Sequence, residues 1–170
     1  VDRANLGRDG LPQPDRAASP HGDFAKVFFT NAGAEAIENA VRLARGFTGR
    51  HKVLSTYRSY HGGTMLAVGL TGEGRRLENE PAVNGLVKFW GPYAYRSSFH
   101  ATSPEQECER ALQHLRDTIV AEGPDKVAAI VLETVVGTNG ILVPPDGYLE
   151  GVRALCDEFG IIWIADEVMA

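Results

Sequence analysis

The chain closes on Ile161-Ile162-Trp163-Ile164-Ala165-Asp166-Glu167-Val168-Met169-Ala170, an apolar, β-branched run that carries a carboxylate at its far end. Such a run reads as a buried strand of an α/β sheet. Open α/β sheets bind ligands at the carboxyl ends of their strands. A carboxylate buried there is costly unless something pairs with it, and the protonated nitrogen of a heterocyclic cofactor is one such partner. Strand alternation sends Asp166 and Val168 to one side and Glu167 to the other. Asp166 could then hold a ring edge while Val168 covers its face. The plainer alternative is an Asp that caps the loop after the strand. Upstream, Gly33 and Ala34 open a helix, whose free N–H groups form an anion site. Gly33 lets a phosphate approach the backbone closely, although any strand-to-helix turn can carry Gly. Tyr60-His61-Gly62 puts an aromatic ring at a strand end, where it can stack on a flat cofactor. The alternatives are a half-buried surface Tyr60 and a hydrogen-bonded loop His61. Glu133 ends a strand on the same sheet edge as Asp166 and reads equally as a loop-anchoring carboxylate.

Together, Thr30-Asn31-Ala32-Gly33-Ala34-Glu35, Tyr60-His61-Gly62-Gly63-Thr64, Glu133-Thr134-Val135-Val136-Gly137 and the Asp166 strand resemble the class III pyridoxal-phosphate-dependent aminotransferases. The resemblance runs from about Gly22 to Ala170. It implies the large domain of a fold-type I PLP-dependent transferase, three-layer α/β/α with a mainly parallel sheet. It implies pyridoxal 5'-phosphate as cofactor and amino-group transfer from an amine or amino acid to a keto acid such as pyruvate. Asp166 would be the catalytic partner of the pyridine nitrogen. Gly33, Ala34, Tyr60, His61, Glu133 and Val168 would complete the cofactor site, with Tyr60 and Val168 on opposite ring faces. Pro145-Asp146-Gly147-Tyr148 and the Asp-Glu-Val-Met ending look closest to members that pass ω-amino groups to pyruvate. A homodimer with its cofactor near the interface is also implied. The same motifs occur in aminomutases of the family. Three positions depart from the pattern. Ala34 stands where many members have Ser or Thr. Thr134 stands where Pro is frequent. Met169 stands where many have a Gln bonded to the cofactor's phenolic oxygen.

The chemistry of the resembled family needs a Schiff-base lysine beyond the Asp-bearing strand. The lysines here are Lys26, Lys52, Lys88 and Lys126, and none has that context. The chain therefore reads as a partial large domain over 23–170, truncated before that lysine, and preceded by an irregular or disordered segment over 1–22. By itself it is expected to be inactive. A non-catalytic remnant or interaction module is the alternative. Val1 in place of Met fits a processed or incomplete sequence.

The totals narrow the field further. Hydrophobic content of 44% and charged content of 23% are ordinary for a globular protein with a real core. The net charge of −5 argues against nucleic acid or an anionic membrane as partner. Cys108 and Cys156 fall on apolar helix faces and read as reduced thiols of a cytoplasmic protein. No membrane-spanning or secretory segment is visible. No His/Cys cluster has metal-ligand spacing, and Gly72-Glu73-Gly74 lacks the rest of a dinucleotide fingerprint.

The elements that must position these residues alternate. Strands are expected at Val27–Phe29, Val53–Tyr57, Leu86–Trp90, Val127–Leu132 and after Gly160. Helices are expected at Ala34–Phe47, briefly after His61, from Ser103 to Gly123, and at Asp146–Phe159. Ile37, Ala40, Val41, Ala44 and Phe47 share one face of the first. Ser103, Pro104 and Gln106 form a helix start with a capping box. Alternation of this kind specifies an α/β fold with a mainly parallel sheet.

Overall fold

A computed structural model describes residues 27–169. The segment expected to be irregular over 1–22, and Lys26, lie outside the described residues. The chain divides into two compact units, Val1–Asn31 and Ala32–Ala170. In the first, Val27–Phe29 forms no strand; Phe28 and Phe29 are 68% and 59% exposed. An apolar triplet becomes a strand only when another strand satisfies its backbone, and none of the described ladders includes it.

The second unit runs α1 (Gly33–Thr48), β1 (Lys52–Thr56), α2 (Met65–Leu70), β2 (Leu86–Phe89), α3 (Pro104–Glu122), β3 (Val127–Glu133), α4 (Tyr148–Phe159) and β4 (Ile162–Asp166). All strand pairs are parallel, in the order β2-β1-β3-β4. One face of the sheet packs Val53, Ala129 and Val131 against Ile37, Val41 and Ala44 of α1 and Leu66, Ala67 and Leu70 of α2. The other packs Leu54, Ile130 and Leu132 against Ala111, Leu115 and Ile119 of α3 and Val152, Leu155 and Cys156 of α4. This is the expected three-layer α/β/α arrangement. β3 is buried along its whole length, as a central parallel strand with helices on both faces must be.

Local chemistry explains the element ends. Gly49 and Gly160 close α1 and α4 in the left-handed conformation that glycine adopts without strain. Ser103 Oγ accepts the Gln106 N–H at 3.3 Å and Pro104 occupies the first turn of α3. The reciprocal half of the capping box is displaced by one residue, because Gln106 Oε1 accepts from the Thr102 N–H at 3.2 Å rather than from Ser103. Phe47 departs from the expected apolar stripe and is 84% exposed. Its place on the helix wheel is shared with Leu43, also exposed, beside the core line of Ile37, Val41 and Ala44. On α3 the fully buried Glu107 takes a place in the stripe, where its Oε1 accepts the Tyr93 N–H at 2.6 Å. Cys156 is buried, and burial pushes its thiol up to about 11, so it stays protonated at neutral pH.

Candidate cofactor site

β3 and β4 are paired so that Glu133 lies opposite Asp166. In a parallel ladder, paired residues point to the same face, so both carboxylates turn toward the α1/α2 side at the carboxyl end of the sheet. Both are buried, at 8% and 7% exposure.

The oxygens of Asp166 are used differently. Oδ1 accepts the Val168 N–H at 3.2 Å, a local turn that ends the strand. Oδ2 lies 2.8 Å from His61 Nδ1. A ring nitrogen facing a carboxylate oxygen carries the proton, so Nδ1–H donates. His61 is itself buried, and its Nε2 has no partner among the described residues. Loop capping, the plain alternative for Asp166, therefore occupies one oxygen only. Val168 lies past the strand end and is 69% exposed.

Glu133 clamps two loops. Its Oε1 accepts the Tyr60 N–H at 2.9 Å and its Oε2 the Gly137 N–H at 2.8 Å. Two charge-assisted bonds to backbone fix this side chain firmly. Thr71, which carries no signal in the sequence, completes the loop: its hydroxyl accepts the His61 N–H at 3.0 Å and donates to Ala67 O at 3.1 Å. Tyr60-His61 is thus held by β3, by the end of α2 and by β4. The guanidinium of Arg75 lies 4.0 Å from the centroid of the Tyr60 ring and covers one of its faces.

The start of α1 closes the other side. Ala32 offers no side-chain cap, and neither the Gly33 nor the Ala34 N–H has a protein acceptor among the described residues. Two glycines permit the close packing here. A Cβ on Gly33 would come within 2.9 Å of Val168 Cγ2. At Gly62 the backbone has φ +123, and a Cβ there would lie 2.6 Å from that of Ala34. Gly33, Ala34, His61, Gly62, Asp166 and Val168 are therefore neighbours, although up to 135 positions separate them. Met169 packs on Gly137, within 2.8 Å of where a Cβ would stand.

These residues fit pyridoxal phosphate in charge and shape. Free N–H groups at a helix start suit its phosphate, the buried Asp166 suits a protonated ring nitrogen, and Tyr60 and Val168 offer apolar surfaces to a flat ring. The described lysines lie elsewhere. Lys52 starts β1 and pairs with Glu122, and Lys126, beside Asp125, precedes β3, so both are at the amino end of the sheet. Lys88 Nζ is enclosed by Ser55 Oγ at 2.7 Å, Gly69 O at 2.8 Å and Leu70 O.

Known proteins are similar to this chain in sequence and fold. Acetylornithine aminotransferase of Corynebacterium efficiens is 40% identical over 144 residues, covering 84% of this chain and 31% of that protein. Taurine–pyruvate aminotransferase of Rhodobacter capsulatus is 32% identical over 153 residues, 86% of this chain and 33% of that protein. Among solved structures, taurine:2-oxoglutarate aminotransferase of Bifidobacterium kashiwanohense, in complex with PLP and glutamate, has a TM-score of 0.80 at 46% identity, over 84% of this chain and 32% of that one. The chain spans about a third of the length of the curated relatives it matches. The sequence profile described as Aminotransferase class-III matches residues 16–170. With nearly the whole chain inside that match, and a parallel sheet that gathers the matched residues at one edge, the chain belongs to the class-III aminotransferase family.

Proposed function

We propose that this chain forms the cofactor-binding part of a pyridoxal-phosphate-dependent transaminase, which moves an amino group from an amine or amino acid to a keto acid such as pyruvate. The observation that carries the reading is the buried Asp166 carboxylate, held by His61 beside an uncapped helix start. The cofactor, when bound, supplies an electron-withdrawing ring. The chain's own residues bind and tune it. Asp166 holds the proton on the ring nitrogen by charge. His61 Nδ1–H fixes the orientation of that carboxylate. The Gly33 and Ala34 N–H groups receive the phosphate, and Tyr60 and Val168 shield the ring faces from water. Glu133 acts through the backbone of Tyr60 and sets the height of its ring.

The taurine–pyruvate relative supports ω-amino donors with pyruvate as acceptor. A homodimer of the full-length protein, with the cofactor near the interface, is supported by membership of the class-III family. A monomer in sedimentation at micromolar concentration would count against it. A cytoplasmic setting is supported by the free cysteines. No helix among the described residues is long and apolar enough to cross a membrane. Cell fractionation that finds the protein outside the cytoplasm would contradict that setting.

The test is induced circular dichroism of pyridoxal phosphate titrated into the chain. The reading expects a saturable signal in the cofactor's absorption band, because an asymmetric site orients the ring. No saturable signal from folded protein would overturn it.

A further inference from the structure

Beside the candidate cofactor site, side chains after β1 and β2 form a ladder of rings around a guanidinium, with the Tyr57 and Trp90 planes tilted by 35°. The Tyr57 and Trp90 rings lie 4.6 Å apart between centroids. The Arg58 guanidinium carbon lies 5.0 Å from the Trp90 ring centroid and 4.6 Å from that of Tyr93. Stacking on aromatic faces desolvates the flat sides of a guanidinium and leaves its N–H edge for in-plane partners. Among the described residues, none of the ion pairs to a carboxylate includes Arg58. Arg58 instead lines a small, mostly apolar cleft at the carboxyl ends of β1 and β3, together with Thr56, Pro92, Glu133, Thr134 and Tyr148. Among the described residues that line it, Glu133 is the one acid, and both its oxygens are turned onto backbone N–H groups.

We propose that Arg58 is an anion subsite that takes the carboxylate or sulfonate group of a small substrate. Three features support this. Arg58 is half-buried and its guanidinium lies against two rings, so part of its side-chain freedom is already lost before an anion arrives. The planar edge matches a two-oxygen face of a carboxylate or sulfonate. The position is two residues before Tyr60, in the same loop that would hold the cofactor ring. The assignment of that anion to an amino donor or keto acid rests on the transaminase reading; the binding of an anion by Arg58 does not.

The two tryptophans of the chain allow a direct test. Trp163→Phe leaves Trp90, the neighbour of Arg58, as the fluorescent reporter. Sodium acetate and sodium methanesulfonate are titrated at constant ionic strength against sodium chloride. Saturable change in Trp90 emission is expected with at least one of the two oxyanions and not with chloride, and the stronger of the two identifies carboxylate or sulfonate as the preferred group. Arg58→Gln should weaken that response ~10-fold or more, since a charge-assisted fork is lost. Arg58→Lys keeps the charge without the planar edge and should fall between. Far-UV circular dichroism checks that each variant is folded. No saturable response in the parent, or an equal response in folded Arg58→Gln, would overturn the subsite and leave the ladder as a structural stack. Pyridoxal phosphate binding is measured on the same parent protein. Anion binding without cofactor binding would sink the transaminase reading alone, and the reverse would sink the subsite alone.

Discussion

Asp166 and His61 meet in space although they are far apart in the sequence. A carboxylate at the end of an apolar run marks itself, because burial at a strand end demands a partner. Its partner does not. His61 lies 105 positions away, and nothing in the spacing of Tyr60-His61-Gly62 says that the imidazole turns inward onto a carboxylate. Glu133 likewise reads as a strand-end acid, while its two backbone partners depend on loop geometry. Lys88 gives a test at this scale. Burial, followed by the nearby Arg76, lowers its ammonium from 10.5 to about 7, with Glu80 opposing. The unfolded chain keeps that proton up to its ordinary value near 10.5. Above about pH 7 the folded state therefore binds fewer protons than the unfolded one, and stability rises with pH. Urea unfolding should show a gain of about 1.5 kcal/mol between about pH 7 and about pH 8.5. Lys88→Met should flatten that rise. An unchanged slope in the variant would mean that Lys88 keeps its proton when folded.

At the scale of elements, the junction of α1 with the loop after β1 is the tightest place in the site. Gly62→Ala puts a methyl group 2.6 Å from Ala34 Cβ at a positive φ. Either the loop shifts or the start of α1 does, and both carry site residues. Loss of ~2 kcal/mol or more in stability is expected, as for strain in a packed region. Cofactor affinity should weaken with it. A variant as stable as the parent in urea would contradict the packing described. Much of this level was legible in the sequence. Ser103-Pro104 and the glycines after α1 and α4 mark helix ends by local chemistry alone. Buried β3 shows itself as an unbroken apolar run. What failed depends on distant neighbours. Val27–Phe29 has the composition of a strand without a described partner, and composition cannot supply one. Phe47 has helical spacing suited to a core, yet the core of α1 is the narrower line of Ile37, Val41 and Ala44. Glu107 is polar in sequence and buried in space because Tyr93 brings a backbone donor to it.

Over the whole molecule, the two ends of the strands carry different groups. Arg50 at the amino end donates to the Val127, Phe159 and Gly160 carbonyls, and Lys52 and Lys126 lie at the same end. The acids Glu133 and Asp166 lie at the other, with His61 and the start of α1. Lys52 and Lys126 lie at the amino end and Lys88 is engaged by Ser55, Gly69 and Leu70, so none of the described lysines is expected to bond to the pyridoxal phosphate that this chain should bind. Borohydride reduction followed by peptide mass mapping should find no stoichiometric pyridoxyl-lysine, and amino transfer to pyruvate should be absent. A single stoichiometric adduct with transfer activity would show that a lysine of this chain does the work. The central claim is that Asp166 pairs with the cofactor's ring nitrogen. The most direct measurement is the ¹⁵N chemical shift of ring-labelled pyridoxal phosphate bound to the parent chain and to Asp166→Asn. A pyridinium-like shift in the parent and a neutral-pyridine shift in the variant are predicted, because an amide cannot hold the proton by charge. The same shift in both proteins would contradict the pairing and with it the role given to Asp166.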